Sequence, residues 1–260
     1  MGKYLIILNI LYLAVFSGQS FAEEEWEEEK SDHFIVYFQE EAGKEYARET
    51  ISQAEDAYDK LGEKLKLRRF DYWTWDNRAK IYIYANRQAY LKGSGRQVWS
   101  GGSVDIEKKI IKCFPMQKKF FDRVLPHELT HIVFREYVGN DTELPLWLDE
   151  GMACSSEKGY NKRYIVNACS LLEKDMMLHL DVLNGIGHNN ITAPIRFYIS
   201  SVSLTDYLWK EFGSEKFRKM CYLMREKKHN IEKALLEVYP FKSLQDLDDQ
   251  WFAYLKSDCL

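Results

Sequence analysis

Residues 124–134 read VLPHELTHIVF, which places two histidines and a glutamate among apolar side chains. Burying such polar groups costs free energy unless they find partners. His127 and His131 are four residues apart, so a helix brings both imidazoles to one face, where a single metal ion can bind both. Glu128 lies one step round the helix, where its carboxylate can reach a metal-bound water without ligating the metal. The spacing therefore predicts a zinc site with His127 and His131 as ligands and Glu128 as general base.

A catalytic zinc ion needs a third protein ligand, and residues 144–153, LPLWLDEGMA, offer Glu150. The eighteen residues between His131 and Glu150 include a predicted turn at residues 139–141 and a predicted helix start near Pro145. Two antiparallel helices joined in this way can bring Glu150 against the histidine face. Two histidines and one glutamate leave a fourth coordination position open for water, which is the arrangement of a catalytic site.

The elements that must position these ligands form two groups. Runs of β-branched and aromatic residues predict strands at residues 33–38, 80–84 and 109–114, and apolar periodicity predicts helices at residues 42–67 and 87–92. Later predicted helices cover residues 122–138, a stretch from Pro145, and residues 160–180, 195–212, 214–226, 231–238 and 244–255. Asp122 and Thr142 are the predicted caps of the two helices that carry the ligands. The pattern predicts an α+β fold: a small mixed β-sheet with helices, followed by a mainly helical C-terminal lobe.

Composition sets broad limits on function. The chain has 260 residues, 46% of them hydrophobic, which is enough to supply a full core. Its net charge of -4 gives no broad attraction to nucleic acid, so we expect no nucleic-acid partner. Nothing marks a linker, and residues 23–260 are expected to form a single domain.

The first 22 residues, MGKYLIILNILYLAVFSGQSFA, have the layout of a secretory signal peptide. A positive charge at Lys3 precedes an apolar run at residues 4–16, and residues 20–22 form a small-x-small exit with predicted cleavage after Ala22. The alternative is an uncleaved N-terminal anchor, although the run is shorter than the roughly 20 residues that span a bilayer. We expect a secreted or periplasmic protein with no stable membrane span after cleavage.

Five cysteines follow at wide, irregular spacings that match neither a CxxC metal pattern nor a small-domain disulfide framework. An oxidising compartment would permit one or two bridges, and an odd count leaves at least one thiol unpaired. The spacing does not identify the pairs. The five are Cys113, Cys154, Cys169, Cys221 and Cys259.

HExxH, an eighteen-residue gap and the W-L-x-E-G-x-A segment together resemble the gluzincins, the thermolysin- and aminopeptidase-like metallopeptidases, and most of all the peptidase MA-like domains. The resemblance implies a zincin-like fold, one zinc ion per chain and a peptide or protein substrate. It also implies that a tyrosine of the C-terminal lobe stabilises the oxyanion; Tyr198 matches best, with Tyr207 as the second candidate. By the same resemblance residues 109–114 are the edge strand that pairs with an extended peptide, the alternative being an ordinary interior strand.

The sequence departs from these families at two places. Residues 99–103, WSGGS, lack the glutamate of the aminopeptidase G-A-M-E-N motif, so aminopeptidase specificity is not supported. Cys154 stands where thermolysin-like enzymes have an aspartate that orients a histidine ligand, and a buried core position is the better interpretation of this cysteine. Asp149 is expected to face a neighbouring side chain or solvent, and the histidines outside HExxH are expected to be surface or hydrogen-bonded core residues: His33, His179, His188 and His229.

The best-supported function is hydrolysis of peptide bonds by zinc-activated water. Two alternatives remain: a catalytically silent binding or scaffolding domain, and a zinc hydrolase that acts on a non-peptide amide. An intact Glu128 argues against the silent domain, because loss of catalysis would free that position to change.

Overall fold

The computed structural model of the chain describes residues 25–66, 73, 75–95, 102–116 and 118–259, so the predicted signal peptide lies outside the described residues. The strands are β1 (Glu27–Lys30), β2 (Phe34–Phe38), β3 (Ala79–Ile83), β4 (Gly102–Asp105) and β5 (Ile110–Cys113). They form one mixed sheet in the order β1-β2-β3-β5-β4. The three middle strands are parallel, and β1 and β4 pair antiparallel at the two edges.

Helices occupy most of the remaining described residues. They are α1 (Lys44–Leu65), α2 (Arg87–Ser94), α3 (Leu125–Val138), α4 (Leu146–Ser155), α5 (Val166–Glu173), α6 (Leu180–Asn184), α7 (Pro194–Lys227), α8 (Ile231–Val238) and α9 (Leu244–Asp258). The fold is therefore α+β, with a small mixed sheet first and a mainly helical C-terminal region, which confirms the predicted fold class.

The strand prediction was wrong at both edges of the sheet. β4 was not predicted, because its sequence GSVD lacks the usual β-branched run, and β1 was not predicted because all four residues of its sequence EEEK are charged. β1 is stabilised by pairing with β2 and by the ion pairs of Glu29 with Lys44 and Arg48. Since β4 covers it on the outer side, β5 is an interior strand, which corrects its expected edge position.

The helix that carries HELTH begins with a π-helical turn, Phe120–Val124, that runs directly into α3. Asp122 lies inside this turn and no side chain caps α3, so the predicted cap is wrong. Pro126 is the second residue of α3 and directly follows the π-helical turn. Gly139 ends α3 with a φ of 94°, a conformation that glycine adopts readily.

The second ligand helix, α4, starts after Pro145 without a side-chain cap. Thr142 donates its hydroxyl hydrogen to the carbonyl oxygen of Val138, 2.9 Å away, and so stabilises the end of α3 and does not cap α4 as predicted. α4 crosses α7 very closely at Gly151, where an added Cβ would lie 2.2 Å from Oγ1 of Thr205. This glycine lets α4 sit deep between α3 and α7.

The C-terminal region differs from its prediction in detail. The single helix predicted at residues 160–180 is a π-helical turn, Asn161–Ile165, followed by α5, which ends at Glu173. α7 contains Gly213 with non-helical angles, which separates the two helices predicted on either side of it. A disulfide between Cys169 and Cys259 ties α5 to the end of α9, and the other three cysteines are free and buried.

None of the helices in the described part of the chain has both the length and the apolar character needed to cross a membrane.

Candidate metal centre

α3 and α4 bring His127, His131 and Glu150 together. The Nε2 atoms of the two histidines lie 3.2 Å apart. Oε2 of Glu150 lies 3.5 Å from Nε2 of His127 and 3.8 Å from Nε2 of His131. Ligands of a tetrahedral zinc ion at 2.0–2.2 Å are about 3.3–3.6 Å from one another. The three atoms therefore have nearly the spacing of three corners of a zinc coordination tetrahedron.

Each histidine contacts a carboxylate through its other ring nitrogen. Nδ1 of His127 lies 3.0 Å from Oε1 of Glu157. Nδ1 of His131 lies 3.1 Å from Oδ1 of Asp149, although the angle departs from hydrogen-bond geometry. Asp149 is buried and accepts a hydrogen bond from Nε of Arg135, so this aspartate faces neighbouring side chains. Carboxylates in this position favour the tautomer whose Nε2 lone pair is free to bind a metal.

The polar atoms that converge here fit a cation. With both Nδ1 atoms protonated towards their carboxylates, the two Nε2 lone pairs face each other and Oε2 of Glu150. That oxygen is buried and has no hydrogen-bond partner among the described residues. Three acceptors this close repel one another unless a positive charge lies between them. His127, His131 and Glu150 are therefore suited to hold a zinc ion.

Without a metal, protons are the alternative positive charge. Burial by itself would lower the pKa of His127, but contacts with Cys154, Glu150 and Glu157 raise it well above its usual value. Burial also opposes protonation of His131, and Asp149 raises its pKa. Metal binding at such a site releases protons, because the ligating imidazoles must be neutral.

Glu128 is half-buried and lies next to the start of β4. A Cβ built on Gly102 would lie 2.7 Å from Cγ1 of Val124 and 3.6 Å from Oε1 of Glu128. The missing side chain at Gly102 therefore lets the edge strand pack against Val124, next to the carboxylate of Glu128. The carboxylate of the predicted general base thus lies beside the edge strand of the sheet.

The two tyrosine candidates lie in different surroundings. Tyr198, in the first turns of α7, is half-buried near the centre; burial raises its pKa, and the charge of Glu150 adds to the effect. A neutral phenol is a hydrogen-bond donor. Tyr207 is buried in an aromatic cluster, with its ring centroid 5.0 Å from that of Tyr254 and 5.5 Å from that of Phe212, as expected for a packing residue.

Cys154 offers a second possible donor set. One atom each from His127, Glu150 and Cys154 lie within 4.8 Å of one another. However, the sulfur approaches Nδ1 of His127, at 3.8 Å, which is the ring nitrogen turned away from His131. Cys154 also packs with Ile165 and Val202 in a small apolar cluster, so it is a core residue at the edge of the centre. We favour the two-histidine set because its three atoms face one common point.

Sequence reasoning missed Glu157, which is buried and contacts His127. The sequence does place Glu157 seven residues, or two helical turns, after Glu150, which would put both on one face of a continuous helix. However, α4 ends before Glu157. Of the histidines outside HExxH, His33 and His179 are hydrogen-bonded to Glu55 and Asp248, and His188 is exposed, as expected. Nδ1 of His229 lies 3.4 Å from Oε2 of Glu237 but makes no hydrogen bond among the described residues, which differs from the expectation.

A mixed sheet, a helical C-terminal region and a histidine–carboxylate centre on paired helices together fit a metallopeptidase-type domain. A family model described as the Peptidase MA superfamily matches residues 66–257. The match covers most of the chain, and the chain belongs to this superfamily, whose members are generally zinc-dependent. No curated protein sequence matches the chain at a significant level.

Proposed function

We propose that the protein is a gluzincin-type zinc metallopeptidase in which His127, His131 and Glu150 hold one zinc ion and Glu128 is the general base. The observation that carries the proposal is the convergence of two Nε2 atoms and one carboxylate oxygen within 3.2–3.8 Å of one another. Two histidines and a glutamate leave a coordination position for water, as in catalytic zinc sites.

The chemistry divides among the side chains around that position. A zinc ion held by His127, His131 and Glu150 would lower the pKa of a coordinated water towards about 7 and would polarise the scissile carbonyl. Glu128 accepts a proton from the attacking water and later passes it to the leaving amine. Tyr198 donates a hydrogen bond to the oxyanion, a role that its half-buried, neutral phenol permits.

An extended peptide is proposed to lie along β4. This strand is at the edge of the sheet formed by the described residues, and Gly102 at its start approaches Glu128. A substrate strand added there would receive main-chain hydrogen bonds and hold its scissile bond near the base.

We also propose that the protein is exported and that residues 23–260 form one catalytic domain. The signal-peptide pattern of residues 1–22 supports export. The disulfide between Cys169 and Cys259 is of the kind that persists in oxidising compartments.

The test is the Glu128→Gln variant. Purified protein should contain about one zinc per chain and cleave members of a broad peptide library, read out by mass spectrometry. Glu128→Gln should keep the zinc and lose about 10²–10⁴-fold in turnover, since it removes the general base. The same change at Glu143, which is exposed, is the matched control and should leave turnover unchanged.

Unchanged turnover in Glu128→Gln would remove that residue from the mechanism. Bound zinc without any cleavage of the library would favour a silent binding domain or a hydrolase of non-peptide amides.

A further inference from the structure

Glu157 lies just beyond α4, and its side chain returns to the metal centre. The residue is 8% exposed, and its Oε1 lies 3.0 Å from Nδ1 of His127. Cys154 is the other neighbour of the same nitrogen, at 3.8 Å, and a thiol is a weak acceptor. The carboxylate of Glu157 is therefore the stronger partner of Nδ1.

Glu157 is itself held in place by the π-helical turn Asn161–Ile165. Nη1 of Arg163 contacts Oε2 of Glu157, and Nη2 of Arg163 donates to the carbonyl oxygen of Lys158, 3.1 Å away. The hydroxyl of Tyr164 lies 3.4 Å from Oε1 of Glu157. One carboxylate oxygen is thus directed to Arg163 and the other to His127.

The same segment is tied to the beginning of the histidine helix. The backbone N–H of Lys158 donates to the carbonyl oxygen of Asp122, 2.7 Å away, in the turn that precedes α3. The segment from Glu157 to Arg163 therefore contacts both the ring of His127 and the backbone that leads into its helix. Its geometry fixes the position of the carboxylate relative to the imidazole.

We propose that Glu157 is a positioning residue that holds His127 in the tautomer and ring orientation that bind zinc, and so sets the zinc affinity of the centre. The inference rests on the proposed function. A carboxylate that accepts from Nδ1–H directs the Nε2 lone pair to the metal and raises the basicity of the imidazole.

The Arg163 contact makes the isosteric variant informative. In Glu157→Gln, Arg163 needs an acceptor, so the amide oxygen should turn to it and the amide NH₂ should face Nδ1 of His127. That nitrogen must then accept, which moves the imidazole proton to Nε2, towards the metal position. The substitution keeps the shape of the side chain yet selects the wrong tautomer.

The experiment measures zinc affinity by competition with a chromogenic chelator, starting from metal-free protein. Glu157→Gln and Glu157→Ala should each bind zinc about 10–100-fold more weakly than the wild type. Nitrogen-15 NMR of the neutral imidazole should find the proton of His127 on Nδ1 in the wild type and on Nε2 in Glu157→Gln. Glu55→Gln is the matched control, because Glu55 also contacts Nδ1 of a histidine, His33, and it should keep wild-type affinity.

Two results would overturn the inference alone. One is a wild type that binds zinc and cleaves peptides while Glu157→Gln binds zinc within about threefold of it, with His127 still protonated on Nδ1. The other is an equal loss of affinity in Glu55→Gln, which would point to general destabilisation. A wild type that binds no zinc overturns this inference together with the proposed function. If Glu157→Ala does not fold, Glu157→Gln decides the question.

Discussion

Two histidine–glutamate pairs of this chain make the same local contact in different settings. Nδ1 of His33 lies 2.6 Å from Oε2 of Glu55, and Nδ1 of His127 lies 3.0 Å from Oε1 of Glu157. The ring of His33 packs against that of Tyr58, with centroids 4.6 Å apart. Nε2 of His127 instead faces another imidazole nitrogen and the carboxylate of Glu150.

The difference shows what distinguishes a folding contact from a metal centre. A carboxylate next to one ring nitrogen is common to both pairs, so it does not distinguish a folding contact from a metal centre. The surroundings of the other nitrogen decide, because acceptors that converge there are unfavourable without a cation, whereas an aromatic ring is an ordinary packing partner. The same comparison predicts which changes affect zinc and which affect stability alone.

Replacing the two histidines should give the largest contrast. His127→Ala removes a ligand and should reduce the zinc content, measured by mass spectrometry after dialysis, from about one per chain to background. His33→Ala should leave zinc content and turnover at wild-type levels. Loss of zinc from both variants would mean that the pairs do not differ as described.

The next largest contrast is expected in kcat, when the tyrosine beside each pair, Tyr198 or Tyr58, is replaced by phenylalanine. Tyr198→Phe removes the proposed donor to the oxyanion and should lower kcat about 10²–10³-fold while zinc content stays constant. Tyr58→Phe, beside His33, should change kcat by less than about threefold. Equal kcat values for Tyr198→Phe and the wild type would exclude Tyr198 from the reaction.

Glycines in α1, which carries Glu55, and in α4, which ends just before Glu157, give a third contrast. In α4, Gly151→Ala would place Cβ 2.2 Å from Oγ1 of Thr205 and should destabilise the fold by about 1–3 kcal/mol. In α1, Gly62→Ala meets no heavy atom within 4 Å and should stabilise by about 0.5–1 kcal/mol. Urea unfolding of the metal-free proteins measures both. An unfolding free energy of Gly151→Ala equal to that of the wild type would show that the α4–α7 contact can relax.

The smallest effect is expected in the pH dependence of the unfolding free energy that arises from the pair of His33 and Glu55. Burial would raise the pKa of Glu55, but its interaction with Ser31 and the hydrogen bonds from His33 lower it overall. A lowered pKa in the folded state gives stability above the unfolded value near 4.5, and that stability is lost as pH falls through the folded value. Because the pair is partly exposed, Glu55→Gln should cost less than about 1 kcal/mol at pH 7. The difference in unfolding free energy between variant and wild type should shrink as the pH falls below 4.5; a difference that does not change with pH would contradict the assignment.

Much of the centre followed from local rules. The four-residue spacing of His127 and His131 fixes their common face on any helix, and the glycine stop at residue 139 allows the chain to reverse before Glu150. Those features depend on neighbouring residues alone, so they could be read from the sequence.

The remaining features depend on tertiary contacts. Glu157 lies beyond the end of α4, so the direction of its side chain is set by Arg163 and not by helix periodicity. β4 is a strand because it pairs with β5, and its sequence gives no signal of its own. Asp149 was expected to face a neighbour or solvent, and its contact with Arg135 depends on how α4 packs against α3. These contacts determine how the ligands are held, which spacing does not reveal.

X-ray absorption at the zinc edge of the zinc-loaded protein tests the central assignment most directly. The two-histidine set predicts nitrogen and oxygen neighbours at about 2.0–2.2 Å, with the multiple-scattering pattern of two imidazoles and no sulfur. A sulfur neighbour at about 2.3 Å would place Cys154 on the metal, and a spectrum with a single imidazole would remove His127 or His131; either result would contradict the account.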